Sequence, residues 1–345
     1  MNRRNNKICI SLILAATILF IAAPPASALI LHPDGDPNLA VWTDRPADDV
    51  IGKWGANASC VAISRNCIVT TRHQGGGTWT PVKIAGASYS IAQIWNHNTA
   101  DLRLVKLSGA NLAEFVDIYA QTDETGKEFV IGGYGVGNGA ELQNGGTTYG
   151  YAWGDLATRA LRFGTNIIEN QVSDSNIPPY ISDIVVADFD DLSRGNPTAY
   201  ECIPADHDSG CGWFIKDGDA WKLVALTRAV EAHYEDGHED DPEYKLFESW
   251  FRKPSNPIRS DADILDAVRI SSYAQWISDN LPEITPGDLT GDDRVDAADF
   301  AVFANFWRNE DCRAPDWCLG ADAEPDGDID AIDLAAFAQN WLNPI

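Results

Sequence analysis

The chain has 345 residues, 45% of them hydrophobic, and its 51 acidic and 25 basic residues give a formal net charge of −26. This negative charge argues against nucleic acid or an anionic membrane surface as a partner, and it is compatible with bound cations. The length and apolar content allow a sizeable hydrophobic core with one small additional module.

The first 28 residues have the pattern of a secretory signal peptide. Three basic residues lie among the first seven, residues 8–23 are apolar, and a small-residue cleavage motif ends at Ala28. A membrane anchor is the alternative, but the apolar run is short for a span and no basic stop follows it. Because the segment holds three basic and no acidic residues, cleavage would change −26 to −29 and leave a secreted chain that begins at Leu29.

Residues 29–281 have mostly the pattern of a β domain. Short apolar runs alternate with turns rich in Gly, Asn and Asp, which is typical of a sandwich or barrel. Residues 262–281 contain a last strand and a helix, and the prolines of residues 282–287 indicate a linker. The apolar runs include CVAIS, CIVTT, SYSIAQIW, LRLVKL, EFVIGGY, DIVVADF, GWFIK and WKLVALT.

Three residues of this domain have the chemistry of nucleophilic catalysis. His73 ends the run CVAISRNCIVTTRH, Asp101 opens DLRLVKL, and Ser209 lies in DHDSGCGWFI. A serine hydroxyl needs a base to take its proton, and that base needs a carboxylate to set its tautomer. Singly, each residue is more typical of a turn or a structural role. Together, in this order, they predict a catalytic triad.

The cysteines support export. One leaves with the signal segment, and the remaining six form three close pairs, an even number that suggests disulfides in a secreted chain. Local pairing would staple a hairpin before His73 and bracket the loop of Ser209, and buried free thiols are the alternative. The predicted pairs are Cys60 with Cys67, Cys202 with Cys211, and Cys312 with Cys318.

The tail, residues 288–345, contains an acidic repeat. The segments 288–299 and 322–333 both carry acids at loop positions 1, 5, 9 and 12, and each is followed by aromatic residues at helical spacing. Oxygen ligands at alternate positions, with a backbone carbonyl at position 7, can surround one Ca²⁺, so about two ions are predicted. A solvated acidic tail is the alternative, although the regular aromatics argue against disorder. The predicted ligands are Asp288, Thr290, Asp292, Arg294, Asp296 and Asp299 in the first loop, and Asp322, Glu324, Asp326, Asp328, Asp330 and Asp333 in the second.

Residues 30–281 resemble the trypsin/chymotrypsin-like serine peptidases. TTRH, DLRLVKL and HDSGCG are similar to the family's TAAH, DIALLKL and GDSGGP, and FVIGGYGVG and VRISSYAQWISDNL are similar to its central and closing segments. The resemblance implies an all-β fold of two six-stranded barrels with a C-terminal helix. It also implies that His73 and Asp101 come from the first barrel and Ser209 from the second, with the active site in the cleft between them.

The resemblance also implies an oxyanion hole formed by the backbone N–H groups of His207 and Ser209. The family has glycine at the positions of His207 and Cys211, and a side chain at the first could turn the donor peptide away. No IVGG-like mature N-terminus is visible to pair with Asp208.

The domain also departs from the family in the length of the segment before VRISSY. The stretch 231–243, EAHYEDGHEDDPE, lies where the family has a shorter wall of its specificity pocket. It is interpreted as an exposed acidic loop, with a lid that favours basic substrates, or a metal site using His233 and His238, as alternatives.

The tail resembles a dockerin, a small helical module with EF-hand-type loops that binds cohesin domains on scaffold or surface proteins. The first loop has Asp293 where position 6 is usually glycine, and the insert NEDCRAPDWC, residues 309–318, is unusual. The predicted function is therefore a secreted serine endopeptidase with a calcium-binding docking module, at the cell surface or free outside the cell. A non-catalytic peptidase-like binding protein and a calcium-dependent structural protein of the cell surface are the alternatives.

Overall fold

The computed structural model describes residues 29–32, 41–231, 247–253 and 262–341. The predicted signal segment 1–28 and the two histidines His233 and His238 lie outside these ranges. Within them, no helix is long and apolar enough to cross a membrane.

The described chain is mostly β, with helices concentrated at its C-terminal end. The strands are β1 Ile30–Leu31, β2 Ile51–Trp54, β3 Ala58–Ala62, β4 Cys67–Thr70, β5 Val82–Ile84, β6 Ala87–Asn96, β7 Arg103–Ser108, β8 Asp117–Ile118, β9 Glu128–Gly133, β10 Asn138–Asn144, β11 Thr147–Trp153, β12 Arg162–Ile167, β13 Asn170–Ile177, β14 Tyr180–Asp188, β15 Cys202–Ile203, β16 Gly212–Asp217, β17 Ala220–Glu231, β18 Glu248–Trp250 and β19 Ile264–Arg269. The α-helices are α1 Ala274–Asn280, α2 Ala297–Phe306, α3 Trp317–Gly320 and α4 Ala331–Gln339, and single 3-10 turns occupy Asp48–Val50, Leu156–Thr158 and Ile270–Tyr273.

Six strands close the first barrel in the order β2-β3-β4-β7-β6-β5. All of its pairings are antiparallel, and the hairpin of β3 and β4 pairs Val61 with Val69 and Ala62 with Ile68. Both strands of this hairpin are buried along their whole length. They therefore contribute one face to each of two hydrophobic clusters, one inside the barrel and one between the barrel and the second sheet.

The second unit is an eight-stranded sheet with the order β12-β9-β16-β17-β19-β14-β13, and β8 pairs with β17. The six strands from β12 to β14 curve back on themselves, since Asn166 on β12 donates from Nδ2 to the carbonyl of Asp188 on β14 at 2.7 Å. Phe129 and Trp213 stack 4.2 Å apart in its core. With α1 after β19, this arrangement confirms the predicted double-barrel fold with a C-terminal helix.

The structure differs from the predicted cysteine pairing at two of the three pairs. Cys60, Cys67, Cys202 and Cys211 are buried thiols without disulfide partners. Cys60 packs with Ala62 in one hydrophobic cluster, whereas Cys67 lies on the opposite face of the hairpin in another, so the two sulfurs point apart. In the second pair, Cys202 contacts the carbonyl of Thr165, whereas Cys211 contacts the hydroxyl of Thr227.

The tail forms a compact helical module around its own hydrophobic cluster. Phe303 of α2 and Phe337 of α4 pack against each other with ring centroids 5.5 Å apart. Cys312 and Cys318 form a disulfide in the insert between the two repeats. Each acidic loop therefore leads into a helix whose aromatic side chain closes the core of the module.

Candidate active site and acidic loops

His73, Asp101 and Ser209 come together at the edge between the two β units. The Nδ1 atom of His73 lies 2.6 Å from Oδ2 of Asp101, and its Nε2 atom lies 2.6 Å from Oγ of Ser209. Because a carboxylate can only accept, Nδ1 carries the proton and Nε2 is left to accept from the serine hydroxyl. The Asp101 side chain is 2% exposed and that of His73 is 31% exposed, so the acid is buried while the base is open to solvent.

Asp101 also holds the backbone on which the histidine is mounted. Its Oδ1 atom accepts the N–H groups of Arg72 at 2.6 Å and His73 at 2.8 Å. Its own N–H donates to Oγ of Ser182, on β14 of the second sheet, at 3.0 Å. One carboxylate thus sets both the ring and the main chain of residue 73, and Ser182 ties it to the other half of the domain.

The loop of Ser209 is held by backbone hydrogen bonds to both β units. The carbonyl of Ser209 accepts the N–H of Ser59 at 2.8 Å, and the N–H of Gly210 donates to the carbonyl of Thr227 at 2.9 Å. Gly210 has a φ of 76°, and a Cβ there would lie 2.4 Å from Oγ1 of Thr70 and 2.5 Å from the Ser59 carbonyl. Glycine after the serine is therefore required by both conformation and space.

His207 adopts the backbone conformation that a glycine would adopt. Its φ is 72°, in the left-handed region, which costs an L-residue about 1–2 kcal/mol. Its ring is held in place, because Nδ1 lies 3.2 Å from the carbonyl of Asn57 and Nε2 lies 3.4 Å from Oδ2 of Asp206. In the described part of the chain, the N–H groups of His207 and Ser209 donate to no acceptor, so both are available to a substrate oxygen.

Asp208, next to the serine, is fully buried and bonded to the start of the described chain. Its carboxylate accepts the N–H groups of Gly135 at 2.7 Å, Ala205 at 3.0 Å and Leu29. Burial raises the pKa of Asp208 to about 7, against the effect of these donors. Leu29 and Ile30 are themselves fully buried. Although the sequence shows no IVGG-like motif, the buried residues Leu29 and Ile30 therefore bring a backbone N–H group to the carboxylate of Asp208.

The second acidic loop brings ligand atoms together. One carboxylate oxygen each from Glu324, Asp330 and Asp333 lie within 4.8 Å of one another. The Oε1 atom of Glu324 is buried and has no hydrogen-bond partner among the described residues. Desolvation and the neighbouring carboxylates of Asp333 and Asp326 raise the pKa of Glu324. An oxygen-preferring cation such as Ca²⁺ fits this donor set.

The first acidic loop repeats the backbone hydrogen bonds of the second, but it has Thr290 at position 3, where the second loop has Glu324. Oδ1 of Asp299 accepts the N–H of Leu289 at 2.9 Å, as Oδ1 of Asp333 accepts that of Ala323 at 2.7 Å. In both repeats the acids at positions 9 and 12 form a capping box on the following helix. Asp293 at position 6 has a φ of 65°, so this aspartate takes the left-handed conformation of its counterpart glycine.

Sequence reasoning located the three chemical groups but missed the residues that position them. Ser182, the anchors Asn57 and Asp206 of the His207 ring, and Leu29 are not in any motif of their own. Gly210 stands in the HDSGCG string, but the reason for glycine there is not local, because its neighbours in space, Thr70 and Ser59, are distant in sequence.

Comparisons with known proteins identify the C-terminal module. Residues 286–342 match the family model of the Dockerin type I domain. Among solved structures, the chain is similar to neuropsin, a serine protease expressed in the limbic system of mouse brain, with 14% identity, a TM-score of 0.43, and 68% of this chain and 96% of that chain covered. It is also similar to Rv3671c from M. tuberculosis in its inactive form, with 13% identity, a TM-score of 0.41, and coverage of 76% and 99%. No curated protein sequence gives a significant match. The tail is thus a dockerin type I domain, and the fold of the preceding part rests on its sheet topology.

Proposed function

We propose that this chain is a secreted serine endopeptidase that its dockerin domain attaches to a cohesin-bearing scaffold or surface protein. The observation that carries the proposal is the unbroken path from Asp101 through the His73 ring to Ser209, with 2.6 Å at both steps. These distances are within the range for proton transfer between a nucleophile, its base and the orienting acid. Dockerin domains bind cohesins, which supports the proposed partner.

In the proposed first step, Ser209 becomes acylated by the substrate. Its hydroxyl proton passes to Nε2 of His73 while Oγ attacks the peptide carbonyl carbon, and Asp101 stabilises the resulting imidazolium. The carbonyl oxygen becomes an oxyanion that the N–H groups of His207 and Ser209 are free to bind. The C–N bond then breaks, and the imidazolium gives its proton to the leaving amine.

In the proposed second step, water hydrolyses the acyl-enzyme. His73, neutral again, takes a proton from the water as its oxygen attacks the ester carbonyl, and the same two N–H groups bind the second oxyanion. Collapse returns the proton from His73 to Oγ of Ser209 and releases the carboxylic acid. The exposed face of the His73 ring gives this water access from solvent.

The dockerin domain would hold Ca²⁺ in its two acidic loops, where the cation would bridge carboxylates that otherwise repel each other. The acids at position 9 of each loop also cap α2 and α4, so ordering of a loop and of its helix are linked. The residues that would hold the ions are Asp288, Thr290, Asp292, Asp296 and Asp299 with the carbonyl of Arg294, and Asp322, Glu324, Asp326, Asp330 and Asp333 with the carbonyl of Asp328.

A fluorophosphonate probe tests the proposal, because it reacts with an activated serine and not with an ordinary hydroxyl. We expect labelling of the wild type and of the control variant Ser173→Ala, which removes an exposed serine on β13. Ser209→Ala and His73→Ala should not be labelled. Hydrolysis of a protein substrate at internal bonds should follow the same pattern and establishes endopeptidase activity.

The same experiment separates the proposed peptidase from the alternatives. If the wild type is folded but neither labelled nor able to hydrolyse protein, the chain is not a peptidase, and the peptidase-like binding protein and the calcium-dependent structural protein of the cell surface are the remaining alternatives. If protein hydrolysis persists in His73→Ala, the path through the imidazole has no part in it, and the assignment is wrong.

A further inference from the structure

The insert between the two dockerin repeats lies against the first barrel. Arg65, in the turn between β3 and β4, donates from Nη1 to the carbonyl of Leu319 at 2.6 Å. Leu319 directly follows the disulfide of Cys312 and Cys318. The three residues from Trp317 to Leu319 have φ values of 48°, 57° and 57°, a left-handed run that L-residues adopt only at a cost in energy. The disulfide and this run aim the Leu319 carbonyl at the barrel.

The first acidic loop makes a second set of contacts with the same barrel. Asn111 donates from Nδ2 to the carbonyl of Leu289 at 2.5 Å, and Lys106 pairs with Asp293 at 2.5 Å. A Cβ at Gly291 would lie 2.1 Å from the carbonyl of Ala110, so the two backbones approach as closely as a glycine allows. Asp293, the residue that replaces glycine at position 6, is therefore used as a contact with the barrel.

The charges on the two sides are complementary. Burial lowers the pKa of Arg65, and the nearby carboxylates of Asp288 and Asp316 oppose this effect. Arg65 and Lys106 both belong to the barrel, whereas their partners belong to the acidic module. Within the ranges that the structure describes, the hydrogen bonds of the second acidic loop stay inside the module. The module is thus attached to the barrel through its insert and its first acidic loop.

We propose that the disulfide-bonded insert and the first acidic loop form a docking surface that holds the dockerin domain on the first barrel through Arg65, Lys106 and Asn111. The second acidic loop, whose described hydrogen bonds stay inside the module, is then left for an external partner, together with the exposed apolar side chains Phe300, Trp307, Ile332 and Trp341. Calcium orders the loop that presents the Leu289 carbonyl and Asp293, so calcium binding and docking stabilise each other. The inference does not depend on the proposed peptidase activity.

Cleavage of the linker measures the docking. Glu283 is exposed in the segment that joins α1 to the first acidic loop, and a Glu-specific protease followed by mass spectrometry reports cutting after it. Cleavage follows the population of undocked molecules when docking is fast. In calcium, we expect Arg65→Ala and the double variant Cys312→Ser/Cys318→Ser to be cut at Glu283 about tenfold faster than the wild type. Chelation of calcium from the wild type should have the same effect.

Controls separate undocking from unfolding. Lys83→Ala removes an exposed cation on β5, the strand of the same barrel that pairs with β2 and β6, and should leave the cleavage rate unchanged. Asn111→Ala, which leaves Arg65 unchanged, should also accelerate cleavage after Glu283. Small-angle X-ray scattering should show a larger radius of gyration for each accelerated variant, while calcium-dependent circular dichroism shows that its module is folded. Equal cleavage rates and scattering for wild type, Arg65→Ala and Asn111→Ala would overturn the proposal.

Discussion

The buried carboxylate of Asp208 should obtain its counter-ion only when the chain begins at Leu29. The N–H of Leu29 already donates to this carboxylate, and signal cleavage after Ala28 would turn that amide into an α-ammonium group. While residue 28 is attached, Leu29 also holds a left-handed φ of 64°, a constraint that ends with cleavage. We therefore predict that one additional glycine before Leu29 destabilises the protein at alkaline pH.

The magnitude follows from the pKa of Asp208. Burial raises this pKa from an ordinary 3.8 to about 7, which corresponds to about 4 kcal/mol. Between about pH 4 and pH 7, the folded state binds more protons at this site than the unfolded state does, so the free energy of unfolding falls as the pH rises. Above pH 7 the loss is complete. An ammonium group at Leu29 favours the ionised carboxylate and should remove most of this loss.

The assay compares two purified proteins, one secreted and shown by N-terminal sequencing to begin at Leu29, and one with a glycine before it. Urea unfolding at pH 5 and pH 8 gives the free energy of unfolding of each. About two pH units of the window below pH 7 lie above pH 5, so the extended protein should lose up to about 3 kcal/mol between the two pH values relative to the protein that begins at Leu29.

Asp208→Asn is the control, because it keeps the shape of the side chain and removes its charge. In the Asp208→Asn background, the free energy of unfolding should depend on pH in the same way for the proteins with and without the added glycine. Equal stability of the proteins with and without the added glycine at pH 8, or a difference between them that survives in Asp208→Asn, would refute this role of Asp208.

Four further outcomes are expected. Asp101→Asn should lower the rate of probe labelling about ten-thousand-fold without unfolding the protein, because an amide favours the wrong tautomer of His73; an unchanged rate would contradict the assigned role. His207→Gly should keep labelling, whereas the β-branched His207→Val, which resists the left-handed region, should lower its rate about a hundredfold; equal rates for the two would show that the backbone there is unimportant. Gly210→Ala should destabilise the protein by about 2–4 kcal/mol in urea unfolding, since its Cβ meets Thr70 and Ser59; a change below about 0.5 kcal/mol would contradict the packing. Chelation of calcium should raise hydrogen exchange across 288–341 while the core strands of both barrels stay protected; unchanged exchange in the tail would oppose calcium-dependent folding.

The sequence predicted those features that short-range patterns encode. His73, Asp101 and Ser209 stand in strings whose alternation and turn residues are local, and the acidic repeat shows itself by its own spacing. The double-barrel fold followed from the resemblance of these strings to a known family. Each of these features depends on a few neighbouring residues, which a single sequence displays.

Features that depend on the path of the chain through space were missed or wrong. Ser182 meets Asp101 from 81 residues away, and Leu29 meets Asp208 across most of the domain. Closeness in sequence misled the pairing of Cys60 with Cys67, because the register that pairs Val61 with Val69 places the two cysteines on opposite faces of the hairpin. Contacts of this kind require the register of the strands, which no local motif specifies.

The hairpin of β3 and β4 connects two distant parts of the molecule. Its tip carries Arg65 against the dockerin domain, and the other end of β4 reaches His73 only three residues beyond Thr70. Traction on a tethered C-terminal end would therefore enter the domain along the same ribbon that ends at the imidazole, and not solely through the proline-containing linker. Pulling on single molecules through the C-terminus, with the rate of probe labelling as the readout, would reveal whether mechanical load reaches that ring.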